Sequence, residues 1–540
     1  MTFLPIVQRE LRAAVRRRST YRVRWWTALL AMLVSFFALV GVGASGGGSS
    51  IGGPLFSILT GYAFGLCLLA GVLLTADSLS EEKREGTLGL LFLTDLHGYD
   101  VVLGKFMARA LNAFYALFAL LPMAALPLLI GGVTGAEFWR MTLALANALF
   151  FSLATGVFVS ALVRDAQKAL GGTLGLLLLL GAGLPALADL GARAGLAPAL
   201  LDLVGLSPFF PFSGARELIY AAHPGKFWTT LLASHALAWT FLGVASWILP
   251  WIWREGAERF NPFPNAGSKW RWWQRRNSVS IRQAMLKARL LSKNPVLWLT
   301  SQERGLRWAA WAVVLAWGAM VLFAEPVRPR GAWRFTMGWF DDQPHTAFGF
   351  ILKVLFAFQA CRFFAEGRRN GSLELLLSTP LTNREIIQGQ LAAIWRIFRW
   401  PVLVFGALLF APLAAHVLDI ILGGDSQQLL SVLGVSFLNG IYCLRFWLDC
   451  LAVCWFGMWQ ALSMKQPALA SAKTILLVLI LPAPLCVLDL FASLLFFSWG
   501  SMRLQQDLRW IIAKNIQGPP MLAPVRPLPV RPGVPPVIAR

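Results

Sequence analysis

The stretch PLFSILTGYAFGLCLLAGVLLTA, residues 54–76, sets the fold class. It holds no Asp, Glu, Lys or Arg, and a helix of that length covers the roughly 30 Å hydrocarbon core of a bilayer. Working outward in both directions, charge-poor runs of similar length recur at 26–42, 110–130, 141–163, 169–188, 227–253, 308–323, 400–422 and 474–499. Two weaker runs carry internal charge: 345–361 contains Lys353, and 439–462 contains Arg445 and Asp449. With 57% hydrophobic and 14% charged residues and a mean hydropathy of +0.63, most of the chain has lipid as its solvent. The expected fold is an all-α integral membrane protein, a polytopic helical bundle with 11 or 12 transmembrane helices.

A net charge of +22 would suggest nucleic acid in a soluble protein, but its placement decides otherwise. Seven arginines lie between Arg9 and Arg24, just before the first apolar run. Residues 254–307 carry twelve Lys or Arg against three acids, whereas 43–53 carry no charge and 325–342 balance three against three. This pattern predicts a cytoplasmic N-terminus and a cytoplasmic 254–307 segment, in an inner, cytoplasmic membrane. The basic excess reads as a topological signal with anionic lipid contact and not as a nucleic-acid surface. No small-residue cleavage site follows the first run, which reads as an uncleaved anchor.

A repeat lies at a constant offset of 285 residues. The segment EEKREGTLGLLFLTDL (81–96) aligns without gaps on EGRRNGSLELLLSTPL (366–381), and the match continues to Gly104 and Gly389. Glu81, Arg84, Gly86, Leu88, Leu90, Leu91, Thr94, Leu96 and Gly104 equal Glu366, Arg369, Gly371, Leu373, Leu375, Leu376, Thr379, Leu381 and Gly389. Each copy follows the second apolar run of its half, as expected of duplicated transmembrane units. The expected organisation is a first half at 1–262, a basic Trp/Arg-rich linker at 263–284, a second, more divergent half at 285–515 and a Pro-rich disordered tail at 516–540. Pro482 and Pro484 are placed to break the run 474–499 into two helical pieces, which leaves the side of the tail open.

Within each copy a charged stretch precedes an apolar one, with Gly86 or Gly371 at the change. Glycine there suits a sharp turn that presents a short helix across the membrane surface. Among charges inside apolar runs, Arg445 and Asp449 share a helical face and read as an intrahelical pair. Lys353 has no acid within one turn, so a pathway lysine paired with Asp449, Asp419 or Asp489 and a packing or snorkelling role both stay open. Gly98 to Lys105 departs from a phosphate loop in spacing, and Phe106 stands where a magnesium-binding hydroxyl is needed. Cys450 and Cys454 lie one turn apart with no further soft ligand nearby, and the histidines lack metal-ligand spacing. No catalytic, cofactor-binding or metal residue is therefore assigned.

EEKREGTL at 81–88, the following LLFLT and Leu103-Gly104-Lys105 resemble the cytoplasmic segment between the second and third spans of the ABC-2 type permeases. The amphipathic stretch 7–24 is similar to that family's interfacial connecting helix, with 295–307 its counterpart in the second half. The resemblance implies six spans per half and short outer helices between the fifth and sixth, where 191–226 falls. It also implies coupling segments that dock on a separate ATPase: Glu81, Glu82, Arg84, Gly86 and Leu88, then Glu366, Arg369, Gly371 and Leu373. One chain would then supply both membrane halves of an exporter, with two ABC ATPase subunits binding ATP and magnesium beneath it and no enzyme activity of its own. An ion-coupled secondary transporter working through Lys353, Arg445 and Asp449 remains an alternative, as does a non-transporting membrane scaffold.

Overall fold

The computed structural model describes residues 52–93, 96–164, 166–184, 203–258, 294–300, 305–324, 345–369, 371–423, 429–464, 467–480 and 487–516, with isolated positions elsewhere. The run 26–42 for the most part, the stretch 7–24, the linker 263–284 and the tail from 517 lie outside the described residues. All regular structure among the described residues is helical, with no strand. Among the described residues seven helices are long and apolar enough to cross a membrane: Gly52–Arg84, Gly98–Ile130, Gly135–Leu162, Pro224–Trp251, Phe348–Arg368, Asn383–Phe410 and Gly440–Ser463. The protein is an all-α polytopic membrane protein. Of the further runs read from sequence, 169–188 and 308–323 coincide with shorter apolar helices, Lys168–Gly181 and Leu306–Leu315. The run 474–499 is divided, ending one helical segment at Ile480 and opening the next at Val487.

In chain order the main helices are α1 (Gly52–Ala70), α2 (Ser78–Glu85), α3 (Thr87–Phe92), α4 (Gly98–Ala124), α5 (Gly135–Leu162), α6 (Ala166–Leu178) and α7 (Pro224–Glu258). After residue 294 come α8 (Gly305–Ala324), α9 (His345–Arg369), α10 (Ser372–Leu377), α11 (Asn383–Gly423), α12 (Leu429–Ser463), α13 (Pro467–Thr474) and α14 (Val487–Ile516). Short helices Phe209–Gly214 and Glu217–Ala222 lead into α7, and Pro295–Thr300 packs on α11.

The second series repeats the first in order and in packing. α5 packs on α1, α4, α6 and α7, and α12 packs on α9, α11, α13 and α14. α6 runs on into a π-helical segment, Leu179–Gly183, and α13 into another, Ile475–Ile480. Both α4 and α11 open with a reciprocal capping box. In α4, Asp100 Oδ2 accepts from the His97 N–H at 3.0 Å. In α11, Glu385 Oε2 accepts from Thr382 N–H at 2.8 Å while Thr382 Oγ1 accepts from Glu385 N–H at 3.3 Å. His97 and Thr382 are again 285 positions apart, although different residue types occupy them.

Lipid tails are as apolar as leucine, so helices associate in a bilayer through close packing and buried hydrogen bonds. At the α1–α5 crossing Ser152 Oγ donates to Cys67 O at 2.5 Å, and Thr75 Oγ1 to Leu153 O at 3.0 Å. A Cβ on Gly71 would fall on the Ser152 carbonyl, so the π turn Gly71–Thr75 approaches α5 as only a glycine permits. In the second series, stacked Phe356 and Phe398 join α9 to α11 at 4.2 Å between centroids. Trp459 and Trp499 join α12 to α14 edge to face at 4.4 Å. Outward-facing side chains such as Leu111, Tyr115 and Phe118 on α4 and Trp239, Trp247 and Trp251 on α7 are exposed, as helices solvated by lipid require. The two series meet where α6 touches α9 and α13, and where the π turn Gly71–Thr75 touches α13.

Candidate functional site

The segment 81–88 does not form a loose connector. α1 continues through its π turn into α2, whose first amides are capped from another helix: Leu79 and Ser80 N–H both donate to Ser160 Oγ at 2.9 Å. Arg84 grips Asp77 with both fork nitrogens, Nη1 to Oδ1 at 2.7 Å and Nη2 to Oδ2 at 2.9 Å. Glu82 spans the turn that follows, taking Lys105 Nζ of α4 on one oxygen at 2.5 Å and the Thr87 hydroxyl on the other. At Gly86 the backbone enters the left-handed region with φ +73°, and α3 departs in a new direction. Leu88 is then buried at 3% exposure while Leu90 stands out at 65%. Glu81 sits half-buried in the first turn of α2.

The second copy has the same geometry. α9 ends at Arg369, Gly371 turns at φ +67°, and α10 follows with Leu373 buried at 2% and Leu375 exposed at 72%. Glu366 accepts from Arg362 Nε one turn earlier at 3.0 Å. The interior contacts differ, because Gly367 and Gln390 stand where the first copy has Glu82 and Lys105.

Sequence comparison did not single out one pair of residues that the fold brings to equivalent work. Lys83 Nζ donates to the Ser160 carbonyl at 3.3 Å and to the Ala161 carbonyl, both at the C-terminal end of α5. Arg368, 285 residues later, donates from Nη1 to Leu462 O at 2.6 Å and Met464 O at 3.0 Å, at the C-terminal end of α12. A cation here satisfies carbonyls that a helix end leaves without intrahelical partners. Lys and Arg do not count as an identity, so alignment by identical residues passes over the pair.

Deeper in the bundle, Lys353 Nζ of α9 lies 2.6 Å from Asp449 Oδ2 of α12, with the two residues 8% and 3% exposed. Ser493 Oγ of α14 donates to the other oxygen of Asp449 at 2.5 Å, and the Phe446 ring lies 5.6 Å from the ammonium. Three helices thus converge on one carboxylate. Arg445, half-buried on α12, is one turn from Asp449. A neutral polar cluster that sequence reasoning missed joins α5 to α7. Asn147 Nδ2 donates to Ser234 Oγ at 2.7 Å, and Asn147 Oδ1 lies 3.1 Å from His235 Nδ1. The Trp239 indole donates to His235 Nε2 at 3.1 Å. Indole only donates, so Nε2 is the bare nitrogen and Nδ1 carries the proton toward Asn147. Among the described residues no three His, Cys, Asp or Glu side chains assemble as a metal site.

Residues 5–250 match the family described as ABC-2 family transporter protein. Those residues are similar to that family over a little under half of the chain. No curated protein matches the chain. The ABC-2 match takes in α1 to α6 and nearly all of α7, including the whole Gly86 turn and its clamp on α5. The helices from α8 onward lie beyond the matched residues. The likeness to a transporter family is thus carried by the first helical series.

Proposed function

We propose that this chain forms the membrane pathway of an ATP-driven exporter and is moved by separate ABC ATPase subunits that bind α2–Gly86–α3 and α9–Gly371–α10. In this reading residues 1–262 and 285–515 are two repeated halves, the N-terminus and both turns face the cytoplasm, and two ATPases engage one chain. The observation that carries it is the recurrence of one mechanical linkage at a fixed offset. Each half has a short helix beyond a left-handed glycine, an exposed leucine on that helix, and a cation just before the glycine tied to the end of the half's most central helix. A push on α3 or α10 is therefore transmitted to α5 or α12 through hydrogen bonds at a packed helix end, not through a compliant loop. The exposed Leu90 and Leu375 are the anchors a partner groove would take.

The test is co-purification with a soluble ATPase encoded beside this chain, with ATP turnover read in the same preparation. Leu90→Asp and Leu375→Asp are expected to weaken the complex at least tenfold while leaving the permease folded. Glu82→Ala is expected to keep binding and uncouple hydrolysis from transport, since it frees the turn from α4. An ATPase that binds both leucine variants as well as the parent chain overturns the proposal. The buried Lys353–Asp449–Ser493 group favours one second reading, an ion-coupled transporter. Vesicle uptake that follows a proton or sodium gradient without ATP would select it.

A further inference from the structure

The linkage above uses none of the arginines on the α8–α11 side of the molecule. Arg307 of α8 and Arg396 and Arg399 of α11 line a cavity of about 230 Å³, together with Trp311, Ile397, Trp400 and Pro401. Among the described residues no acidic side chain lines this cavity. Arg396 is repelled by both Arg307 and Arg399. Arg307 Nε and Arg396 Nη1 are buried with no hydrogen-bond partner among the described residues. Gathering three guanidinium groups and leaving buried donators unfilled costs stability unless an anion completes the set.

The position of the cavity identifies that anion. Beyond Arg307 no Asp, Glu, Lys or Arg occurs until Glu325, and beyond Arg399 none occurs until Asp419. Both helices thus change from charged to membrane-length apolar sequence at the level of the cavity, which is where lipid headgroups meet acyl chains. Trp308, Trp395 and Trp400, all well exposed, stand at that level as an aromatic belt does, and Arg399 lies 5.3 Å from the Trp400 ring centroid. Guanidinium forks match phosphate oxygens, and basic pockets between transmembrane helices take anionic headgroups.

We infer that Arg307, Arg396 and Arg399 form a binding site for the phosphate of an anionic phospholipid headgroup, seated at the membrane boundary between α8 and α11. Lipid is favoured over free phosphate because the cavity opens beside side chains that face acyl chains.

The full chain in detergent micelles would be titrated with dioctanoyl phosphatidylglycerol, dioctanoyl phosphatidylcholine and inorganic phosphate, with tryptophan fluorescence and native mass spectrometry as readouts. Phosphatidylglycerol is expected to bind at least tenfold more tightly than phosphatidylcholine, and inorganic phosphate to give no response at millimolar concentration. Arg399→Gln, on an exposed residue, is expected to weaken phosphatidylglycerol about fivefold, and the triple Arg307→Gln/Arg396→Gln/Arg399→Gln variant to lose the preference. If the triple variant does not fold, Arg399→Gln with Trp400→Ala carries the same comparison. Equal binding of the two lipids, or an unchanged preference in the variants, overturns the site. Inorganic phosphate matching the lipid overturns the lipid assignment. None of these readouts involves an ATPase, so the outcome stands apart from that of the coupling proposal.

Discussion

Gly86 and Gly371 are the residues whose chemistry is least replaceable in the two repeated turns. Both hold φ near +70°, and a Cβ at either would meet nothing within 4 Å, so the cost of a side chain is conformational alone. Gly86→Ala is expected to lower stability by about 1–2 kcal/mol, and Gly86→Asn by less, because asparagine tolerates the left-handed region. Chemical denaturation in micelles measures the difference, and equal losses for Ala and Asn would mean that the turn is not held left-handed. Asp449 poses the opposite problem, since its partners are tightly specified. Asp449→Leu or Lys353→Met alone leaves a buried charge unmatched, with an expected cost of about 3–5 kcal/mol. The double substitution is expected to recover most of that loss. A double-mutant cycle reads the coupling, and additive losses would show that the pair is not energetically joined. Lys353 was legible as unusual because it lies in an apolar run, but its sequence gives three candidate acids, and only the packing of α9 on α12 selects Asp449.

At the scale of elements, the helix ends explain more than the apolar runs do. Thr134 caps α5 through Glu137 N–H at 3.2 Å and also donates to Glu217 Oε2 at 3.1 Å, while Arg140 of α5 pairs with the same carboxylate. The start of α5 is thereby tied to the short helix Glu217–Ala222, and Tyr220 stacks under Arg140 at 4.0 Å. The Arg140 hydrogen bond is the main reason the Glu217 carboxyl is held below its ordinary value near 4.3. A depressed carboxyl contributes in full above its unfolded value and loses that contribution as pH falls through its folded value. Protection factors of the amides in 134–140 and 217–222, taken relative to the intrinsic exchange rate at each pH, should therefore fall below about pH 4, and Glu217→Gln should abolish that fall. Protection factors unchanged between pH 6 and pH 3 would remove the clamp from consideration. Short helices within 191–226 were expected from the family resemblance, but their attachment to α5 was not legible, because Arg140 and Glu217 are far apart in sequence and nothing local links them.

Across the whole molecule, the seam between the two helical series is the decisive feature. The π turn Gly71–Thr75 presses on α5 and also touches α13 of the other series. In an ordinary helix Gly71→Ala would add about 1 kcal/mol of stability from helix propensity. Here the added methyl meets the Ser152 carbonyl, so the expected sign is a loss of about 1–3 kcal/mol, with weaker contact between the series. A stabilised Gly71→Ala variant would show that the close approach is absent. The sequence by itself determined that lipid surrounds the chain, that helices fill it, and that a helix–glycine–helix pattern recurs at an offset of 285. Run length, charge placement and glycine identity are local quantities that any extended string displays. Tertiary structure alone decided that Lys83 and Arg368 tie the ends of α5 and α12. It also decided that Asp449 gathers Lys353 and Ser493, and that Arg307 meets Arg396 and Arg399. Those groups come from segments up to about a hundred residues apart, and only the packing of helices through small residues and buried hydrogen bonds brings them within reach.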